Sequence, residues 1–184
     1  MQNVGRKTEF ALVSDYELVW NDRGSGARQD VSVWKPILPD GCKLLGHTAA
    51  NGHSKPHHGT FVIRPGAGTD VVRAPVRFKK AWSQLRANRG PLHVWHPIAP
   101  EGFVSLGDIT TVGDAKPSME GLVCVSKSLV QGDVLKAQIW NDRGGGAPRD
   151  GALFEQPGST GLFFCSDDGT HNRPAGMFCF PKES

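Results

Sequence analysis

The chain repeats one pattern three times, and that repeat limits its fold more than any other feature. Residues 20–30 read WNDRGSGARQD and residues 140–150 read WNDRGGGAPRD, identical at eight of eleven positions at an offset of 120. The same register carries Asp30 onto Asp150, Trp34 onto Phe154 and Gly41 onto Gly161, although Pro36 falls opposite Gln156, with Pro157 one place later. A third copy lies between them. VWKPILPDGCKLLG at 33–46 matches VWHPIAPEGFVSLG at 94–107 at an offset of 61, which also carries Pro56 onto Pro117. Trp20, Trp82 and Trp140 open the copies, which run roughly 10–67, 68–127 and 128–184 and together fill a single domain of 184 residues. Self-similarity of this kind marks units that bury their apolar faces only against one another.

Within a copy the pattern is that of strands. Leu18 and Trp20, then Val31 and Val33, alternate with other partners, as half-buried strands do. The Gly/Asp run from Asn21 to Gly26 is a turn between the first two strands, and Pro39-Asp40-Gly41 is a second turn. Lys43–Leu45 reads as a short third strand, the stretch from Asn51 to Pro56 as a loop, and Thr60–Ile63 as a fourth strand. Residues 76–85 place Phe78, Trp82 and Leu85 at helical spacing, but the two other copies argue for a strand there. The expected fold class is all-β, with three pseudo-threefold repeats of about four antiparallel strands. Ring closure removes exposed sheet edges, so a β-prism is expected, with a β-trefoil as the alternative.

Composition supports an all-β reading. The 23 Gly and 13 Pro exclude long helical bundles and coiled coils, since each costs roughly 1 and 3 kcal/mol inside a helix. Five Trp and nine Phe argue against disorder. The net charge is +3, and the densest basic spots, Arg77-Phe78-Lys79-Lys80 and the Arg23/Arg28 loop, do not form the stripe of a nucleic-acid footprint. Cys42, Cys124, Cys165 and Cys179 lack zinc spacing and read as buried free thiols, with a Cys165–Cys179 bridge as the alternative. No stretch approaches the ~20 apolar residues of a membrane span, and Met1 to Val13 lacks a signal-peptide core. The chain is therefore expected to be cytoplasmic or peripheral to membranes, with non-classical secretion left open.

The duplicated loops are the candidate sites. Asn21, Asp22, Arg23 and Asp30 in one, with Asn141, Asp142, Arg143 and Asp150 in the other, offer carboxylates, amides and guanidiniums at turn tips. Such groups can hydrogen-bond sugar hydroxyls, or coordinate calcium through oxygen, although no EF-hand ligand series is present. The competing reading is that Asn and Asp bond their own backbone to shape the turn. The middle copy has Trp82-Ser83-Gln84-Leu85-Arg86-Ala87-Asn88-Arg89 instead, so two ligand sites rather than three are expected. His53, His57 and His58 read as a solvated loop without an acidic partner or repeat equivalent, and no metal or other cofactor is expected. No nucleophile elbow, P-loop, zincin or dinucleotide motif occurs, and a non-enzymatic protein is expected.

V-W-x-P-I-x-P-x-G-x-x-x-L-G, followed by a loop and Lys-Pro, resembles the vacuolar-protein-sorting-62-related family of fungi and plants. The run Leu106-Gly107-Asp108-Ile109-Thr110-Thr111, through Lys116-Pro117-Ser118 to Cys124-Val125, is especially similar to the plant members. Related motifs occur in the C-terminal part of the large vacuolar-sorting lipid-transfer proteins. The likeness spans roughly residues 16–184. The chain is shorter than the plant members, so accessory regions are expected to be absent. The resemblance implies sorting or membrane association and carries over no catalytic residue. The leading expectation is a lectin-like recognition module that binds glycans or membrane-surface headgroups through the turn tips. A protein-interaction domain in trafficking and the targeting domain of a pore-forming system are the alternatives.

Overall fold

The computed structural model describes residues 6–183; residues 1–5, the first part of the stretch read for a signal peptide, lie outside the described residues. Sixteen strands and one short 3-10 turn (Lys127–Leu129) make up its regular structure. The first copy supplies β1 (Glu9–Val13), β2 (Tyr16–Asn21), β3 (Val31–Pro36), β4 (Thr48–Asn51) and β5 (Thr60–Arg64). The second supplies β6 (Val72–Arg73), β7 (Arg77–Gln84), β8 (Leu92–Ile98), β9 (Phe103–Val104), β10 (Ile109–Val112) and β11 (Cys124–Ser126). The third supplies β12 (Val130–Asp133), β13 (Gln138–Asn141), β14 (Ala152–Glu155), β15 (Phe163–Cys165) and β16 (Phe178–Pro181).

The chain is all-β, built of several small sheets with one connectivity recurring in each copy. Three antiparallel sheets run β2-β3-β4, β7-β8-β10 and β13-β14-β15. The last strand of each copy pairs instead with the strand ahead of the tryptophan hairpin: β5 with β1, β11 with β6 and β16 with β12. This corrects the expected count of about four strands per copy, because an extra strand opens each one and the second copy also carries the short β9. Lys43–Leu45 is also not the third strand; it makes isolated bridges to Ile63 and Leu122, while β4 pairs with β3. The reason is packing. Leu44 is buried with Ile109 and Leu122, whereas Leu45 is buried in a separate cluster with Ile63, Leu106 and Leu162. Adjacent side chains entering two cores leave that segment bridging them rather than extending one sheet.

Phe78 and Trp82 lie in strand β7, and Leu85 follows its last residue, Gln84. A bulge between Lys80 and Trp82 inserts an extra residue and breaks the two-residue alternation. Phe78 thus packs beside the Leu44 cluster, Trp82 enters the main core, and Leu85 is left exposed. Matching bulges precede the other two tryptophans, between Leu18 and Trp20 and between Gln138 and Trp140.

The main core gathers Trp20, Trp82 and Trp140 with Val33, Val94 and Leu153 from the three central strands. Each indole N–H donates to a backbone carbonyl in a different copy: Trp20 to Gly90 (2.9 Å), Trp82 to Arg149 (2.8 Å) and Trp140 to Gln29 (2.7 Å). Buried indoles need an acceptor, and here each acceptor lies in a neighbouring copy's loop. All four cysteines are free thiols. Burial raises Cys124 to about 11 and pushes Cys165 well above its ordinary value, so neither forms a reactive thiolate near neutrality.

One position breaks the repeat for a steric reason. Gly151 stands where the offsets place Val31 and Leu92. A Cβ there would come within 2.3 Å of the Trp82 indole nitrogen. Gly151→Val, which would make the copies more alike, is expected to destabilise the protein by roughly 1–3 kcal/mol through overpacking. A melting temperature equal to or above that of the parent would refute this steric account.

Candidate functional site

The tip of the first hairpin is shaped by its own side chains. Asn21 Oδ1 accepts the Arg23 N–H (3.3 Å), and Asp22 Oδ1 accepts the Val31 N–H nine residues on (3.0 Å). The third copy repeats this: Asn141 Oδ1 accepts the Arg143 N–H and Asp142 Oδ1 the Gly151 N–H, both at 3.1 Å. Gly24 and Gly144, at φ 83° and 89°, supply the left-handed backbone that closes each turn. In the middle copy Gln84 accepts the Arg86 N–H (3.0 Å), so an amide one position later keeps the turn without a carboxylate.

Each buried carboxylate also meets a histidine. His53 Nε2 lies 2.7 Å from Asp22 Oδ1 and 3.9 Å from Asp30, while His171 Nε2 lies 2.5 Å from Asp142 Oδ1. His171 Nδ1 is 3.9 Å from Asp150 and accepts the Arg143 Nε–H at 3.3 Å. This corrects the reading of His53 as unpartnered and unrepeated: it has acidic neighbours, and His171 is its counterpart. His57 and His58 lie apart from it, on the wall of a groove. The signal was in the sequence, since His53-Ser54-Lys55-Pro56 recurs as His171-Asn172-Arg173-Pro174. Asp22, Asp30 and His53, like Asp142, Asp150 and His171, place ligand-type atoms within 4.8 Å of one another. The Asp22 and Asp142 oxygens nearest the imidazoles already accept backbone N–H groups, so a cation would compete with the bonds that shape the loop.

The three tips join at one end of the molecule. The Arg28 N–H donates to the Arg143 carbonyl (2.9 Å) and the Asn88 N–H to the Arg23 carbonyl (2.7 Å). Gly144 sits so close to Gly26 that an added Cβ would lie 2.9 Å from its carbonyl oxygen. Asp22 and Asp142 are buried beneath this end, Asn21 is buried and Asn141 half-buried. Arg23, Arg143, Asp30 and Asp150 remain exposed. The candidate residues thus divide into a buried or half-buried set that shapes the loops and an exposed set, of which Arg143 also bonds His171.

Two hollows adjoin these elements. A cleft of about 990 Å³ runs between the edge of β4 with the Ser54–His58 loop and Lys136–Ile139 of the third copy. A smaller one of about 360 Å³ is lined by Arg28, Arg143, Asp142, Asp150 and His171.

Away from the tips, Asp108 is fully buried and accepts the Cys165 N–H (2.8 Å) and a bond from His96 Nδ1 (2.5 Å). Burial opposes charge on His96, but the carboxylates of Asp108 and Asp167 outweigh it and hold the imidazolium above its ordinary value. Burial likewise raises the Asp108 carboxyl, against the pull of His96. The pair therefore holds its proton to higher pH than a free histidine does.

A family model described as vacuolar protein sorting-associated protein 62 matches residues 64–146. The match takes in the second V-W-x-P-I motif and the Leu106–Val125 run, and supports the resemblance over that part of the chain. No curated protein matches the chain. The crystal structure of GNIP1Aa from Chromobacterium piscinae is similar, with a TM-score of 0.79 at 23% identity, over 91% of this chain and 34% of that one. The likeness is one of fold, and this chain spans about a third of the length of that neighbour.

Proposed function

We propose that this chain, similar over residues 64–146 to the vacuolar protein sorting-associated protein 62 family, is a non-enzymatic recognition module. It binds glycans or membrane-surface headgroups, in a lectin-like manner, through the polar turn tips at one end of a β-prism. The prism consists of the copies 10–67, 68–127 and 128–184 arranged about a pseudo-threefold axis. The recurring three-stranded sheets, the matching bulges and the cyclic hand-over of indole hydrogen bonds support that arrangement. The observation that carries the functional reading is the junction of the tips, which presents exposed Arg23, Asp30, Arg143 and Asp150 on one rigid face. Ligand-contacting loops on a rigid frame are a recurrent solution for binding. The chain acts at the surface of membranes or glycoconjugates; among the described residues no helix is long and apolar enough to cross a membrane.

A glycan array together with liposome flotation tests this. The folded chain is expected to bind in at least one, and Arg23→Gln/Arg143→Gln to weaken that binding at an unchanged melting temperature. Absence of binding in both assays removes the reading.

The cleft beside β4 and β13 favours a second reading, an adaptor that takes a short extended peptide from a trafficking partner. Two strand edges line it, and strand edges supply backbone hydrogen bonds to such peptides. Retention of a partner by a cleft variant such as Ala50→Trp would count against it.

A further inference from the structure

The basic residues of this chain are sorted by type. Residues 20–30, 82–90 and 140–150 hold six of its eleven arginines (Arg23, Arg28, Arg86, Arg89, Arg143 and Arg149) and none of its ten lysines. All six are exposed. Although 115 or more residues separate the first pair from the last in sequence, the tips that bear them are bonded to one another and stand on the three buried indoles. The guanidiniums of Arg23, Arg28, Arg86 and Arg89 form no hydrogen bond or ion pair with any described residue. The acidic residues nearby do not cancel them. Asp22 and Asp142 are buried and engaged by His53 and His171, leaving Asp30 and Asp150 as the exposed carboxylates of these segments.

We propose that this end is an arginine face that docks on the phosphate groups of an anionic bilayer surface. The inference rests on the recognition reading of the tips and names the ligand chemistry. Arginine without lysine suits forked, bidentate contact with phosphoryl oxygens, whereas surface charge serving solubility would use either residue. Leu85 decides between a bilayer and a soluble polyanion. It lies beside Arg86 on the middle tip with 51% of its surface exposed. An apolar side chain among cations gains by entering the headgroup–acyl boundary and gains nothing from a sulfated or phosphorylated sugar.

Flotation of the full chain with phosphatidylcholine vesicles, with and without phosphatidylserine, tests the proposal, with heparin oligosaccharides and inorganic phosphate as competitors. The chain is expected to float only with the anionic vesicles and to be released by salt. Arg23→Gln/Arg86→Gln/Arg89→Gln should weaken partitioning on the order of 100-fold. Leu85→Ser should weaken it without altering its salt dependence. Lys43→Gln/Lys127→Gln/Lys182→Gln, which removes equal charge away from the tips, should retain it. Should the arginine variant not fold, the salt titration of the parent and Leu85→Ser decide the matter. Equal binding to neutral vesicles, an equal loss in the lysine variant, or no effect of Leu85→Ser overturns the proposal. Binding to heparin oligosaccharides but to no vesicle also overturns it while leaving the tips as a recognition site. Binding to no vesicle and no glycan removes the recognition reading itself.

Discussion

Trp140→Ala is expected to destabilise the protein by about 3–5 kcal/mol, the usual range for deleting a buried large aromatic side chain. Trp140 is 1% exposed, and its ring lies 5.7 Å from that of Trp82 in an edge-on contact. Deletion leaves a cavity, removes the aromatic contact and strips the Gln29 carbonyl of its donor. Gln29 lies in the first copy, so the damage should reach the first tip as well as the third. Urea unfolding of the variant, with amide exchange read at residues 22–31, checks both expectations. A loss below about 1 kcal/mol would place the ring outside the core. Loss of protection confined to the third copy would contradict the coupling between tips. Trp20→Ala should behave similarly, loosening the Gly90 end of the middle tip.

Acid should unfold the protein through His47. This histidine is fully buried; burial, with Lys35 adding repulsion, lowers it from 6.5 to about 3. Its Nδ1 accepts the Thr110 N–H at 3.0 Å, so protonation there would set two N–H groups against each other. The folded value lies below the unfolded one. The stabilisation is therefore complete above pH 6.5, is lost as pH falls from 6.5 toward 3, and is gone below the folded value. Across that window the loss approaches about 5 kcal/mol, at 1.36 kcal/mol per unit. His47→Asn places an amide oxygen where Nδ1 accepts, and it should flatten the acid limb of a plot of unfolding free energy against pH. Equal acid sensitivity in parent and variant would sink this assignment. The His96–Asp108 pair has the opposite sign, since its raised imidazole stabilises at low pH and weakens as pH rises through its folded value. Comparison of parent with His47→Asn separates the two.

The repeat made much of the fold legible because turn-forming glycines, tryptophans and prolines stand at matching offsets. What it hid has physical causes. Strands β1, β6 and β12 share no residue pattern, since each only closes against the last strand of its own copy. Thr48–Asn51 has two alanines and little strand signature, while the apolar pair Leu44-Leu45 beside it drew the assignment. At the site, the Asn and Asp residues at the turn tips were identifiable, and the structure shows how several of them bond the backbone. The histidines were not identified, because 31 and 29 residues separate them from their carboxylates. Nor did the arginines form a visible stripe, because three hairpins each contribute two and only tertiary contact unites them.

The order in which the indoles find their acceptors bears on synthesis. Trp20 awaits a carbonyl 70 residues ahead, and Trp140 reaches one 111 residues behind. The first hairpin to leave the ribosome therefore cannot complete its core until the last copy has followed, and folding must wait for nearly the whole chain. High contact order of this kind slows folding and exposes early tryptophans to wrong neighbours, so nascent chains stalled after the second copy should be held by chaperones rather than protected by native structure.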